Sequence, residues 1–255
     1  MNQVQTERWA PIVMLVLIVV VWQAACMLFA IPEFIFPSPL EIARALVEFT
    51  GPIALAAWQT FWVTMVGFAL SIVVGVLLGF LVGSTRLAYA ALFPLLVAFN
   101  AVPKAAVVPI LVVWFGIGIG PGILTAFLIS FFPIMVNMAT GLATLEPELE
   151  DVLRVLGAKR RDVLLKVGLP RSLPYVFASL KVAITLAFVG TVLAEMTAGD
   201  SGIGYLMQSA GSQQRMALAF AGLVVIGAMA MAMYELFSYV EKHTTGWAHR
   251  GSQNV

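Results

Sequence analysis

The chain has 255 residues, 61% of them hydrophobic and only 11% charged, with a net charge of +1. Soluble domains carry about 25% charged residues, so this is the composition of a membrane protein. The balanced charge excludes a nucleic-acid footprint, the single Cys26 excludes an internal disulfide or a cysteine metal site, and the only histidines, His243 and His249 in the C-terminal tail, leave no basis for histidine catalysis or a buried zinc.

A membrane-spanning helix needs roughly 20 mainly apolar residues, and six stretches meet that need, at about 10–31, 56–82, 89–115, 122–140, 174–198 and 216–240. The first is too long for a removed signal peptide and has no small-residue cleavage site, so it is taken as a span. After it, "FPSPLEIARALVEF" reads as a short amphipathic helix. Ser38 is its N-cap, Pro39 its first residue and Glu41 the partner in a capping box. Leu40, Ala43 and Leu46 or Val47 are expected to form its apolar face.

The second span carries Gly67, Ser71, Gly75, Gly79 and Gly83, each four residues from the last and so near one helical face. Small residues at that spacing let two helices approach closely, either as packing within one subunit or at a moving interface. The third span holds Pro94, Pro103 and Pro109, with Asn100 and Lys104 among them. Proline kinks a helix, and the freed carbonyls favour a place in a bundle or beside a water-filled path. Lysine at that depth costs at least about 2.5 kcal/mol, so Lys104 is expected to face a cavity or pair with Glu195 of the fifth span. Asn100, Lys104 and Glu195 are therefore the candidate pathway residues. Glu235 lies near a span end and can snorkel.

Two glycine-rich pieces imitate catalytic motifs. "GIGIGPG" (Gly116–Gly122) follows a span and lacks the strand–turn–helix setting of a dinucleotide loop, so it reads as a tight turn. "GDSG" (Gly199–Gly202) has no histidine near it and also reads as a turn.

The most polar stretch is "DVLRVLGAKRRDVLLKVGLP", Asp151 to Pro170. A helix is expected to start at Glu146-Pro147-Glu148, with acidic residues near its positive end, and to stop at Gly157 in a left-handed cap. Leu149, Val152 or Leu153, and Leu156 share its apolar face. A second helix is expected from about Lys159 to Val167, ended by Gly168 and by Pro170. Such a knob suits docking into a groove on a partner protein; Glu146, Glu148, Glu150, Asp151 and Asp162 speak against simple attraction to lipid.

Charge sets the expected orientation. With both termini in the cytoplasm, the inside segments hold Arg8, Arg86, Arg154, Lys159, Arg160, Arg161, Lys166, Arg171, Lys181, Lys242 and Arg250, out of fourteen basic residues in all. Arg44 and Arg215 fall outside. That is the positive-inside asymmetry.

The polar stretch resembles the signature cytoplasmic loop of ABC importer permeases, whose pattern is Glu-Ala-Ala, three residues, Gly, nine residues and Ile-x-Leu-Pro. Asp151-Val152-Leu153, Gly157 and Val167-Gly168-Leu169-Pro170 occupy those places, with Asp for Glu and larger side chains for the alanines. "FPSP", "VPKAAVVPILVVWFGIG" and "LAEMTAGDSGIGYLM" resemble the branch that imports nitrate, sulfonates and taurine, over about residues 32–240.

The resemblance implies an all-α membrane protein: one transmembrane domain over 1–255, a type I (MetI-like) permease core, and a cytoplasmic coupling loop at 141–173. It implies ATPase coupling through Glu150, Asp151, Arg154, Gly157, Ala158, Lys159 and Pro170. The implied partners are cytoplasmic ATPase subunits, a second permease copy in a homodimer, a periplasmic solute-binding protein and the surrounding membrane lipid. No nucleic acid is implied, and the setting is the bacterial inner membrane. The chain has no G-x-x-x-x-G-K-[ST] phosphate loop, so it is expected to bind no cofactor itself and to leave ATP and Mg to the partner ATPase. A secondary transporter or channel is the alternative; an intramembrane enzyme would need a nucleophile–base pair or metal ligands in the spans, and none is visible.

Overall fold

In the computed structural model the described residues are 3–143, 152–153 and 155–244, and among them every regular element is helical. In chain order the elements are α1 (Gln3–Leu28), α2 (Pro39–Glu48), α3 (Thr50–Gly83), α4 (Arg86–Ala101), α5 (Lys104–Phe115), α6 (Ile119–Ala143), α7 (Arg160–Val163), α8 (Leu169–Ala198), α9 (Gly202–Ser212) and α10 (Met216–Thr244). Among the described residues five helices are long and apolar enough to cross a membrane, and the bent pair α4 and α5, taken together as one broken span, brings the number to six.

The core is α6 held between α3 and α8, and glycine makes that contact possible. A Cβ at Gly75 would lie 2.9 Å from both Phe131 O and Ile134 Cβ; at Gly79, 2.6 Å from Met135 O; at Gly83, 2.9 Å from Ala139 O. On the other side of α6, Gly190 sits equally close to Ala126 and Thr125, and Gly141 to Ser172. The glycine ladder of α3 is thus a seam inside one subunit. Hydroxyls tie α3 to both neighbours: Ser71 Oγ and Ser130 Oγ of α6 are 2.6 Å apart, and Thr64 Oγ1 donates to Thr191 Oγ1 of α8 at 2.9 Å.

Gly67 meets Ile123 and Ala126, whereas Gly83 meets Ala139 and Leu142, so α3 and α6 run parallel. The chain between them must therefore return the full length of the bundle, and α4–α5 make that return. They are bent by 83°. Pro94 and Pro109 lie within continuous helix; the bend is confined to Val102 and Pro103. Val102 precedes a proline and is forced out of the helical region, to φ −65°, ψ 126°.

At the opposite edge, α2 shows the expected capping box: Ser38 N donates to Glu41 Oε2 at 2.6 Å and Glu41 N to Ser38 Oγ at 3.4 Å. Its buried face is not the expected one. Ile42 and Ala45 pack against Ile53, Ala217 and Ala221, while Leu40 and Val47 are exposed. The 42–45 pair wins because it faces two neighbouring helices. Among the described side chains, α1 leans on the rest through its C-terminal end, where Trp22 meets Phe36 and Phe220 at ring distances of 5.2 and 6.4 Å. From Trp9 to Val21 its surface is apolar and uncovered, as suits lipid or a partner in the membrane.

The expected stop at Gly168 and Pro170 does not occur. Gly168 is helical (φ −61°, ψ −51°), and helix runs without interruption from Arg161 to Ala198. Only the turn Leu164–Gly168 is wider than α, of π type. The GDSG piece is a turn, as read, but it leads at Gly202 straight into the 11-residue helix α9, to which the sequence reading assigned no element.

Candidate functional site

Two polar places stand out, one at each end of the bundle. At the end where α8 finishes, Glu195 is 7% exposed and does not meet Lys104. Its carboxylate instead caps α9. Gly204 N donates to Glu195 Oε2 at 2.8 Å, and Thr60 Oγ1 lies 2.9 Å from both carboxylate oxygens. Thr60 in turn accepts from Ile203 N at 2.8 Å, so its hydroxyl proton is free to point at Glu195. Gln59 Oε1 accepts from Gly202 N at 3.1 Å. The first three N–H groups of α9 are thus satisfied by side chains from α3 and α8. Its own N-cap residue, Ser201, gives its hydroxyl to Asp200 instead. A carboxylate at a helix N-terminus also meets the positive end of the helix dipole. We call this arrangement the clasp. Beyond it a cleft of about 410 Å³, lined by Gln59, Asp200, Ser201, Tyr205, Ser209 and Arg215, opens at the bundle end.

The glycines of "GDSGIG" serve the clasp. Gly202 has φ +91°, and a Cβ there would fall on the Glu195 carboxyl group; at Gly204 it would lie 2.5 Å from Val192 O. Sequence reasoning found Glu195 but missed Gln59, Thr60, Gly202 and Gly204. An adjacent Gln and Thr in an apolar span was the available signal, since buried polar groups need partners.

Lys104, half-buried, starts α5 and turns back onto α4: its ammonium donates to Asn100 O and, at 3.0 Å, to Asn100 Oδ1. It thereby covers a carbonyl left open where α4 ends. The expected Lys104–Glu195 pair gives way to two separate local solutions, each capping a helix end. Complex yields should accordingly be additive. The double change Lys104→Met with Glu195→Gln is expected to lose the sum of the single losses within about 0.5 kcal/mol. Thermal unfolding of the four proteins checks this, and mutual rescue would restore the pair.

A further ion pair escaped the sequence reading. Lys181 Nζ lies 2.5 Å from Glu241 Oε2, joining α8 to α10 well inside the bundle, with the Tyr234 ring 6.0 Å away.

At the other end of α8 lies the knob. Leu156 N bonds to Val152 O at 3.1 Å, and Ala158 N to Leu153 O at 2.9 Å, with Gly157 at φ +87° between them. That is the six-to-one closure of a glycine-capped helix. A Cβ at Gly157 would meet nothing within 4 Å, so only backbone conformation selects glycine there. Lys159 O then accepts from Asp162 N and Val163 N, starting α7. Val155 and Leu156 are 88% and 77% exposed, apolar groups left uncovered on a polar segment. Ala158 is half-buried, Lys159 exposed, and Pro170 lies inside the continuing helix. Glu150, Asp151, Arg154 and Leu149 lie outside the described residues.

The sequence pattern of the binding-protein-dependent transport system inner membrane component matches residues 71–244. A probable ABC transporter permease protein of Haemophilus influenzae is 32% identical over 88% of this chain and 91% of its own length. The riboflavin transport system permease protein RibX of Chloroflexus aurantiacus is 32% identical over 96% and 94%. A putative aliphatic sulfonates transport permease protein, SsuC of Bacillus subtilis, is 27% identical over 90% and 84%. Among solved structures, the inward-facing MetNI methionine ABC transporter superposes with a TM-score of 0.67 at 18% identity, over 77% of this chain and 98% of the other.

Proposed function

Because the chain belongs to the binding-protein-dependent transport system inner membrane component family, and so is a non-catalytic, multi-pass permease subunit of an ABC importer, we propose that its knob is the element that receives the stroke of the ATPase. In this reading residues 150–159 and Pro170 form the coupling surface: Glu150, Asp151, Arg154 and Lys159 flank it, Gly157 and Ala158 turn it, and Val155 and Leu156 insert into a groove on the ATPase. The exposure of those two apolar side chains beside a tightly capped turn carries the proposal. ATP and Mg are held by the ATPase. Two copies of this chain enclose the path, with the knobs and both termini in the cytoplasm and the clasp facing the periplasm, where a solute-binding protein delivers its load.

Asn100, Lys104 and Glu195 flank the path in this reading. The bend between α4 and α5 leaves backbone and an ammonium group away from the packed core, a cost that lipid would not relieve but a lined cavity would. Lys104 suits a small anion such as nitrate, a sulfonate or taurine, in keeping with the sulfonate relative. A neutral ring-shaped solute is the second reading, favoured by the riboflavin relative at 32% identity. Uptake of labelled nitrate, taurine and riboflavin by the complex, with and without Lys104→Met, separates them: the variant should abolish anion uptake and spare riboflavin.

The coupling role has its own test. Gly157→Val meets no steric obstacle, so its effect comes from forcing a β-branched residue into the left-handed region, at about 1–2 kcal/mol or more. Gly157→Asn should be much milder, since asparagine tolerates that conformation. The ATPase chain should co-purify poorly with the valine variant and well with the asparagine variant. Equal retention by both would remove the proposal.

A further inference from the structure

The wide turn at Leu164–Gly168 has a cause in the sequence. In a regular α-helix the N–H of residue 170 would bond to Lys166 O. Residue 170 is proline, which has no N–H and whose ring presses on the carbonyl four residues back. The helix avoids that collision by taking in one extra residue. Leu169 N bonds to Leu164 O, five residues back, and the backbone stays helical on both sides, with φ near −61° at Val163, Gly168 and Leu169. An extra residue absorbed in one turn offsets the residues below it by one position, about 100°, from where a continuous α-helix would place them.

Above the turn α8 cannot rotate. Ser172 is packed against Gly141, with 2.7 Å left for a Cβ on that glycine, and its hydroxyl reaches Met138 Sδ at 3.4 Å. Lys181, further along the same helix, is tied to Glu241 of α10. Below the turn, Val163 is buried but the knob beyond it projects, with Val155 and Leu156 uncovered. Any error of phase in the turn would therefore appear entirely in the direction the knob faces.

We infer that Pro170 is a positioning residue for coupling: by holding one residue in a π turn it sets the rotational phase between the knob and the fixed part of α8. This rests on the reading that the knob docks on the ATPase. If the turn relaxed to α with no residue removed, the knob would rotate by about 100° and shift by about 1.5 Å along the axis. Its apolar surface would then miss the groove.

Compensation tests it. Pro170→Ala restores the N–H and removes the ring, so the turn should close to α and the knob should rotate. Deleting Leu165, an exposed residue of the turn, in the same chain removes the surplus residue and should bring the knob back into phase. Spin labels at Val155→Cys and Tyr239→Cys, in a Cys26→Ser background, report the phase in the permease alone. Retention of the ATPase chain on tagged permease, with Mg·ATP present, reports its consequence. Pro170→Ala should move the label distance by several ångström and reduce retention about tenfold. The double variant should restore both, which no general loss of packing would do. An unmoved distance in Pro170→Ala, or a double variant no better than the single one, overturns the inference. A wild-type chain that retains no ATPase would count against the coupling reading instead, while the label distances still decide the phase.

Discussion

Gly79→Ala is expected to prevent normal assembly of the bundle, although it adds one methyl group. The new Cβ would lie 2.6 Å from Met135 O and 2.6 Å from Met138 Cβ. Met135 and Met138 are 0% and 1% exposed. A backbone carbonyl inside a helix cannot turn aside, so α3 and α6 must part. Overpacking of this kind costs about 1–3 kcal/mol and sometimes more, and in lipid there is little other attraction between helices to offset it. Gly227→Ala is the control. It lies in α10 with nothing within 4 Å of its Cβ position, and alanine is the better helix former by about 1 kcal/mol. Monodisperse yield after detergent extraction and the midpoint of thermal unfolding should fall sharply for the first variant and not for the second. Matching values for the two would mean that the seam is not closed as described.

Gly202→Ala should be the most damaging change at the clasp. It carries two penalties together: a side chain at φ +91°, worth about 1–2 kcal/mol, and a Cβ placed on the Glu195 carboxyl group. Either α9 lifts away or Glu195 loses its bonds to Gly204 and Thr60. The knob lies at the far end of α8 and should be untouched, so the ATPase should still co-purify while ATP-driven uptake is lost. Ala210→Cys, in a Cys26→Ser background, gives a direct readout, because Ala210 is 3% exposed. A membrane-impermeant maleimide should label it slowly with Gly202 in place and quickly in Gly202→Ala. Thr60→Val should act the same way but less strongly, since it strands the Ile203 N–H and one face of the carboxylate at about 1–3 kcal/mol. Equally slow labelling in all three proteins would show that the clasp does not hold α9.

The elements that could be read from the sequence are those whose cause is local. The spans follow from apolar length, the capping box at Ser38 from four adjacent residues, and the left-handed cap at Gly157 from one glycine after a periodic run. What could not be read depends on partners far along the chain. Glu195 lies 135 residues from Thr60, so nothing nearby reveals that its charge is used to cap a helix. The apolar face of α2 was misjudged because its cover, Ala217 and Ala221, comes from the last helix. Helix α9 was hidden because its first glycines serve both the turn, at Gly202, and the close approach to Glu195, at Gly204, and so read as turn residues alone. Pro170 was misread for a different reason. The rule that proline stops a helix assumes a regular preceding turn, and here that turn widens instead.

The parallel pairing of α3 and α6 also fixes an order of events during biosynthesis. α3 enters the bilayer first, and α4 and α5 are made before its seam partner exists. In that interval the small-residue face of α3 lies open to lipid, with polar groups that must not be stranded there. Three hydroxyls of α3 and α6 have a provisional partner on their own helix: Ser71 can donate to Gly67 O at 2.9 Å, Ser130 to Ala126 O at 2.6 Å and Thr125 to Pro121 O at 2.7 Å. These small-residue faces of α3 and α6 can therefore wait in the membrane with their hydroxyls satisfied. When α6 arrives, the two serine oxygens meet at 2.6 Å and one hydroxyl must turn its proton from its own helix to the other, so assembly exchanges one hydrogen bond for another and leaves no polar group stranded.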